Sequence, residues 1–323
     1  VASASISGVL DLGSADLREL PPFVRDSASL DSLKRLSLSG NELSELSLQA
    51  GRLGRLQQLS LFNNKLTKLP PELANLGSLT SLYLDYNQLA ELPDGLCELT
   101  ELRKLGLYHN RVASISEKIG SLTRLNTLAL QHNRVVALPA AFAELSALTD
   151  LSLSHNKLAD AGAIASLSSL RQLGLSHNKL RALPDLDALH DLRSLGVSHN
   201  ELDSLPVSLL RRPHLASLCA SHNKIGPRLP SLAALGSLTA LDLQHNLLRT
   251  APRSLLALPS LRQLQLAGNP LPEPEQRGAA DGTTSLLQLM ASRPLSSEPA
   301  NQMQVLFLGG PRSGHATLAA AAF

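Results

Sequence analysis

Large rings are almost missing from this 323-residue chain, which has no tryptophan and only 2% aromatic residues. Yet 43% of its residues are hydrophobic, and leucine supplies most of that fraction. A core of ordinary globular shape uses large rings to fill space, whereas stacked repeats can be filled by one branched residue used again and again. The shortage of aromatic residues therefore favours a repeat architecture.

The chain also lacks a dominant charge, a membrane segment and a cysteine framework. Its 29 basic and 27 acidic residues give a formal charge of +2, which favours neither nucleic acid nor an anionic membrane as a partner. No apolar run approaches the roughly 18 residues that a membrane span needs. Cys97 and Cys219 are interpreted as small hydrophobic residues, and no Asn-x-Ser/Thr acceptor occurs. Together these features predict a cytoplasmic protein.

An internal repeat is the strongest signal in the sequence. The segments LSLFNNKLTKLP (59–70), LYLDYNQLAELP (82–93) and LDLQHNLLRTAP (241–252) share one pattern. Its asparagines recur at steps of 23 residues, with two steps of 22. They are Asn41, Asn64, Asn87, Asn110, Asn133, Asn156, Asn178, Asn200, Asn223, Asn246 and Asn269. A weaker first unit has Ala15 in the asparagine position, so the array has about twelve units.

The pattern predicts the structure of each unit. Leucines at alternate positions, such as Leu59 and Leu61, indicate a short strand with one buried face, and the strands of successive units should pair in parallel. The asparagine after each strand should be buried, where its amide can bond to backbone groups of neighbouring coils. Prolines such as Pro70 and Pro93 limit regular structure on the outer side, so only short helical or 3₁₀ turns are expected there.

The spacing LxxLxLxxNxL resembles that of the leucine-rich repeat family over roughly residues 6–274. The resemblance implies an α/β solenoid with a parallel sheet on the concave face and short helical or 3₁₀ turns on the convex face. We assign 1–274 to the array, 275–300 to a capping helix and linker, and 301–323 to the beginning of another domain. Such arrays bind protein partners on the concave face. This predicts a scaffold of an intracellular signalling protein that is not an enzyme and holds no cofactor or metal.

Half of the eight aromatic residues lie in three consecutive units. We expect Phe62, Tyr83, Tyr86 and Tyr108 to face the concave side or its rim, with Asp85, Lys104 and His109 beside them. Tyrosines inside a polar rim are typical of the centres of protein interfaces. We interpret these seven residues as a partner-binding site. The alternative is that Phe62 packs on its neighbours and the tyrosines are scattered surface residues.

A column of histidines precedes the asparagines of seven consecutive units. Its members are His109, His132, His155, His177, His199, His222 and His245. At about 5 Å along the stack, these side chains would repel one another when protonated. The Ser-His-Asn sequence is common in leucine-rich repeats, so the resemblance implies solvent-facing turn residues without a separate role. A metal-binding strip and a pH sensor are the alternatives.

The segment after the repeats resembles the junction of Roco proteins, in which a leucine-rich repeat array precedes a Ras-like GTPase domain. The matching stretches are GNPL (268–271), GT (282–283) and an apolar strand at 305–308, with a short leucine-rich helix around Thr284–Ser292. The resemblance implies a truncated chain, which would be the N-terminal part of a GTP-binding enzyme. A free-standing leucine-rich repeat adaptor is the other alternative.

The last residues have the spacing of a phosphate-binding loop but not its chemistry. Gly309 and Gly314 match the two glycines of GxxxxGK[ST]. His315 stands where the lysine should reach the phosphates, and Ala316 stands where a hydroxyl should bind Mg²⁺. Thr317 comes one position late. The loop is therefore degenerate, and we expect no nucleotide binding by this chain.

Overall fold

The computed structural model describes residues 8–25, 30–47 and 53–292. The chain divides into two compact units, Val1–Met290 and Ala291–Phe323. All repeats lie in the first unit, and only residues 291–292 of the second are described. The linker and the degenerate phosphate-binding loop lie outside the described residues, so both stay predictions.

Twelve three-residue strands form one parallel sheet in the described part of the chain, and the strands follow one another in sequence order. Their central leucines are in register, so that Leu59 pairs with Leu36 on one side and Leu82 on the other. The strands β1–β12 are Val9–Asp11, Arg35–Ser37, Gln58–Ser60, Ser81–Tyr83, Lys104–Gly106, Thr127–Ala129, Asp150–Ser152, Gln172–Gly174, Ser194–Gly196, Ser217–Cys219, Ala240–Asp242 and Gln263–Gln265. This arrangement confirms the predicted α/β solenoid.

Leucine fills the space between the sheet and the convex side. Leu59 and Leu61 are both fully buried, as are their counterparts in most coils, and the core continues along the whole array. Phe142 is the one large ring among the fully buried side chains of the described residues. Each buried leucine contributes about 1.5–3 kcal/mol relative to an exposed one. One residue type used repeatedly therefore supplies the core.

The asparagines join each coil to its neighbours, and we call their stack the asparagine ladder. The Nδ2 group of Asn156 donates to the Leu130 carbonyl of the preceding coil at 2.9 Å and to the Leu153 carbonyl of its own coil at 3.0 Å. Its Oδ1 accepts from the Val135 amide at 2.9 Å. All eleven asparagines repeat this pattern, and all but the half-buried Asn178 are buried. The predicted role of the asparagines is confirmed.

Short helical segments form the convex side, as the prolines predict. A four-residue α-helix, α1, spans Pro22–Arg25. Pro70 and Pro93 have extended backbones with ψ of 146° and 147°, and a 3₁₀ segment begins directly after each. The 3₁₀ segments of the described residues are Pro71–Asn75, Asp94–Glu98, Glu117–Ser121, Ala140–Glu144, Gly162–Ile164, Leu209–Arg211 and Arg253–Ala257.

Two α-helices, α2 (Glu273–Asp281) and α3 (Thr283–Ser292), follow the last strand. The sequence predicts α3 but not α2, because the stretch after Asn269 is rich in proline, glycine, serine and glutamate and only the segment around Thr284–Ser292 has a helical pattern. In the structure, Pro272 precedes α2 with an extended backbone, and Glu273 and Glu275 lie in the first turn, where acidic residues stabilise a helix. Helix α2 thus begins inside the range assigned to the array.

The two helices close the open end of the array. The hydroxyl of Thr283 accepts from the Leu264 amide of β12 at 2.8 Å. The buried Glu275 carboxylate accepts from the Ala251 amide at 3.1 Å. Leu286 and Met290 of α3 are buried in the core. The cap therefore pairs the polar backbone of the last coil and covers its leucines, as terminal repeats require.

The central rungs of the ladder should be more sensitive than the first unit. Replacing Asn156 with alanine leaves the buried Val135 amide without its partner and removes one of the two bonds to the Leu130 carbonyl, which keeps its bond from Asn133. This should lower the free energy of unfolding by about 1–3 kcal/mol. The control is Ala15→Ser in the exposed first turn, for which we expect a change within about 0.5 kcal/mol. Denaturant titration measures both. Equal losses would contradict the ladder as a source of stability.

The cap provides a second test of stability. Thr283→Val keeps the shape of the side chain and removes its hydroxyl, which leaves the Leu264 amide unpaired. We expect a loss of about 1 kcal/mol in the free energy of unfolding. The matched control is Thr284→Val at the exposed neighbouring position, which should change little. An effect of the same size at both positions would rule out a specific role for the Thr283 hydroxyl.

Candidate functional site

A left-handed turn follows the strands and places the candidate residues. The residue before each ladder asparagine has a positive φ, and where it is not glycine the angle ranges from 51° at His245 to 55° in several histidines, with 54° at Tyr86. Gly40 and Gly268 occupy the same position near the two ends of the array, with φ of 69° and 73°. This turn directs the asparagine into the core and leaves the residues on either side of it at the surface.

Three of the four predicted aromatic residues meet on one surface, the aromatic patch of Phe62, Tyr86 and Tyr108. The ring of Tyr86 lies edge-on to Phe62 at 5.4 Å and to Tyr108 at 4.9 Å. Phe62 and Tyr86 are each 41% exposed. All three lie in the turns after β3, β4 and β5 rather than in the strands themselves. Edge-to-face pairs add about 0.5–1.5 kcal/mol each, so the patch is an ordered apolar surface.

Tyr83 and Lys104 are not members of the aromatic patch, because they lie in the strands and not in the turns that follow them. Tyr83 ends β4 and is half-buried, and its ring contacts no other aromatic ring of the described residues. Lys104 begins β5, where it is exposed and pairs in register with Ser81 and Thr127. The structure thus places both residues on the sheet face beside the patch. Their role in partner binding stays a prediction.

The Asp85 carboxylate holds the backbone of Tyr108, a member of the aromatic patch. Its Oδ1 accepts from the Tyr108 amide at 2.9 Å, and burial raises the pKa of this half-buried carboxyl. The carboxyl lies over Gly106 of β5, where an added Cβ would come within 2.9 Å of Asp85 Cγ. Gly106 therefore leaves the space that Asp85 needs to hold the Tyr108 backbone. The contacts of Asp85 assign it a positioning role, which sequence reasoning did not predict.

His109 joins the patch to the histidine column. Its ring stacks on Tyr86 at 4.8 Å and on His132 at 4.6 Å, with interplanar angles of 14° and 6°. The remaining neighbours stack at 3.9 to 4.3 Å, nearly parallel, as far as His245. Sequence reasoning placed these residues at the surface but did not predict the stacking. The sequence does contain a signal for the left-handed turn that aligns the rings. Gly40 and Asn63 occupy the position of the histidines in earlier coils, and both residue types tolerate a positive φ.

Stacking changes the electrostatics of the column. Burial lowers the pKa of His132, His177 and His222, and the neighbouring imidazoles lower it further, because adjacent positive charges repel. Asp242 has a smaller opposite effect on His222. Parallel rings direct their nitrogen lone pairs along parallel lines, so neighbours cannot converge on one metal ion. Among the described residues, no three or more His, Cys, Asp or Glu side chains are arranged so that they could hold one metal ion.

A shallow groove continues along the sheet beyond the patch. Its volume is about 290 Å³, and it crosses β6 to β9. Small residues such as Ala129, Gly174 and Gly196 form its floor, and Asp150 and Gln172 line it with polar groups. Because the floor lacks large side chains, the backbone of another chain could approach the sheet closely at this position.

Comparison with known proteins supports the fold class. The sequence profile of the family described as "Leucine rich repeat" matches residues 31–89, 54–112, 100–158 and 123–180. The match shows leucine-rich repeats in residues 31–180, and the parallel sheet shows that the same solenoid fold continues along the array. A search of curated proteins found no match.

Several solved structures share this architecture. An internalin, InlF, from Listeria monocytogenes is 22% identical with a TM-score of 0.68, and the alignment covers 86% of each chain. The PEPR1–AtPEP1 complex is 29% identical with a TM-score of 0.67, over 78% of this chain and 40% of the other. The ectodomain of GASSHO1/SCHENGEN3 from Arabidopsis thaliana is 26% identical with a TM-score of 0.56, over 81% of this chain and 38% of the other. This chain thus spans less than half of the chains in these last two structures.

None of the helices in the described ranges is long and apolar enough to cross a membrane.

The histidine column makes stability depend on pH. The pKa values of His132, His177 and His222 are lower in the folded chain than the ordinary value of about 6.5, so the unfolded chain takes up protons first as the pH falls. The free energy of unfolding should therefore decrease as the pH falls below about 6.5. Replacing all three with asparagine, which tolerates the left-handed turn, should flatten this dependence. Denaturant titrations between about pH 7 and pH 5 measure it, and an unchanged slope in the variant would contradict the argument.

Proposed function

We propose that the array is a protein-interaction scaffold whose partner binds the concave face and contacts the aromatic patch at its rim. The observation that carries this proposal is the ordered cluster of Phe62, Tyr86 and Tyr108, two of whose rings are 41% exposed. Aromatic side chains inside a polar rim dominate the binding energy of many interfaces. Leucine-rich repeat folds are typical of such scaffolds, and a non-enzymatic role agrees with them.

The groove next to the patch supports the same function. Its small floor residues leave room for the backbone of an extended segment, and Asp150 and Gln172 offer acceptors and donors to that segment. Two of the similar structures are complexes: PEPR1 with AtPEP1, and GASSHO1/SCHENGEN3 with CASPARIAN STRIP INTEGRITY FACTOR 2. From the groove we infer that the partner of this chain presents an extended segment to the concave face.

The interpretation as part of an intracellular signalling protein of the Roco type belongs to the same proposal. It is supported by the Roco-like stretches 268–271 and 282–283, which belong to the last turn and the cap of the array. A downstream domain of alternating strands and helices in the full-length protein would support it further. An extracellular receptor-like role is the alternative, since the similar structure of GASSHO1/SCHENGEN3 is the ectodomain of a plant membrane receptor kinase.

The aromatic patch can be tested by introducing residues that already occur at the equivalent positions of another coil. Phe62→Ser and Tyr86→Asn introduce the residues found at the same positions of the preceding coil, Ser39 and Asn63, so folding should be preserved. With a partner obtained by affinity selection, the double variant should bind weaker by about 2 kcal/mol or more. Isothermal titration calorimetry measures the loss.

A control variant removes apolar surface elsewhere. Val136 and Val207 are 57% and 59% exposed, and their double replacement by alanine should leave the affinity unchanged. Equal affinity of wild type and the Phe62→Ser, Tyr86→Asn variant would rule out the patch as the centre of the site.

A further inference from the structure

Four positively charged residues follow the ladder asparagines in four consecutive coils. We call Arg111, Arg134, Lys157 and Lys179 the cation row. Each is exposed, and none forms an ion pair with any residue of the described ranges. Their backbone amides donate to the preceding coil, for example from Arg134 to Val112 at 2.8 Å. The row therefore repeats with the coil spacing of about 4.8 Å and is about 14 Å long.

Beyond both ends of the row, the positive charges at the position after the ladder asparagine are neutralised by ion pairs. On one side, Lys65 pairs with Glu42 at 2.9 Å, and on the other, Lys224 pairs with Glu201 at 3.2 Å. These pairs show that side chains at this position reach the equivalent side chain of the next coil. In the cation row the neighbours carry like charge, which opposes folding instead of supporting it. The array thus maintains a cluster of positive charge where its own pattern elsewhere forms ion pairs.

The row lies beside two other surfaces. In each of its coils the histidine column is two residues away, on the other side of the buried asparagine, and most of its imidazoles are exposed. A neutral imidazole can donate one N–H bond from its edge, so the column adds donors along the row. The row begins in the coil of Tyr108 and His109, at the end of the aromatic patch. A partner on the patch could extend directly onto the row.

We propose that the cation row binds an extended acidic segment of a protein partner. At about 3.3 Å per residue, the row matches four or five residues of an extended chain. The row ends at the acidic Glu201 on one side and at the uncharged Gln88 on the other. The whole chain has a formal charge of only +2. Nucleic-acid sites usually engage more phosphates, about 6–10, and basic domains. A short acidic peptide therefore fits the row better than a nucleic acid does.

The probe is a dye-labelled peptide of about six glutamates, followed by fluorescence anisotropy at about 50 mM and 200 mM salt. Wild type should bind it at the lower salt concentration and release it at the higher one, because exposed charges are screened. Arg134→Gln with Lys157→Gln should weaken binding about tenfold. Thermal unfolding should show that this variant is at least as stable as wild type, because a like-charge contact is lost.

The matched control is Arg171→Gln with Arg193→Gln. Arg171 and Arg193 are exposed and directly precede β8 and β9, whereas the cation row follows the strands. The control removes the same net charge as the Arg134→Gln, Lys157→Gln variant. We expect wild-type affinity for this variant. Equal weakening in both variants would show attraction by net charge alone and overturn the proposal.

Two further outcomes would also overturn the proposal. One is no binding of the peptide by wild type at the lower salt concentration. The other is tighter binding of a charge-matched single-stranded oligonucleotide or of anionic vesicles through the same row. The Phe62→Ser, Tyr86→Asn variant should bind the glutamate peptide normally, so a failure of the cation row can be distinguished from a failure of the aromatic patch.

Discussion

The buried side-chain amide of the ladder asparagine is the interaction on which the array depends. In each rung, Nδ2 bonds to carbonyls of two coils and Oδ1 accepts an amide of the preceding one, as Asn156 shows. Neither leucine packing nor the three-residue strands could hold the coils in register alone, because leucine contacts are not directional and the strands are short. The ends of the array need other solutions. At the last strand, Thr283 and Glu275 supply oxygen acceptors where no further coil exists.

The same turn that buries the asparagine also organises the surface. It requires a positive φ at the preceding residue and leaves the residues on both sides of the asparagine exposed. Equivalent positions of successive coils then lie about 4.8 Å apart, close enough for rings to stack and for opposite charges to pair. The histidine column and the cation row both follow from this spacing. So do the ion pairs of Glu42 with Lys65 and of Glu201 with Lys224.

The separation between buried positions that maintain the fold and exposed positions that are free to vary explains how one fold can bind different partners. The similar bacterial and plant structures share the solenoid with this chain at 22% to 29% identity, which leaves most surface positions different. The leucines and asparagines maintain the stack, while the exposed columns are free to vary from coil to coil. In this chain, the aromatic patch, the cation row and the groove all fall within the seven consecutive coils of β3 to β9.

The sequence by itself determined the solenoid, the ladder, the 3₁₀ turns after Pro70 and Pro93, and the helix that begins at Thr283, because these depend on residue type and spacing along the chain. It also located Phe62, Tyr86 and Tyr108 near one another. Only the tertiary structure separated Tyr83 from that patch, placed the Asp85 carboxyl under Tyr108 and stacked the histidines. Those contacts join residues of different coils, so they depend on the left-handed turn and the distance between coils. A linear pattern does not contain either quantity.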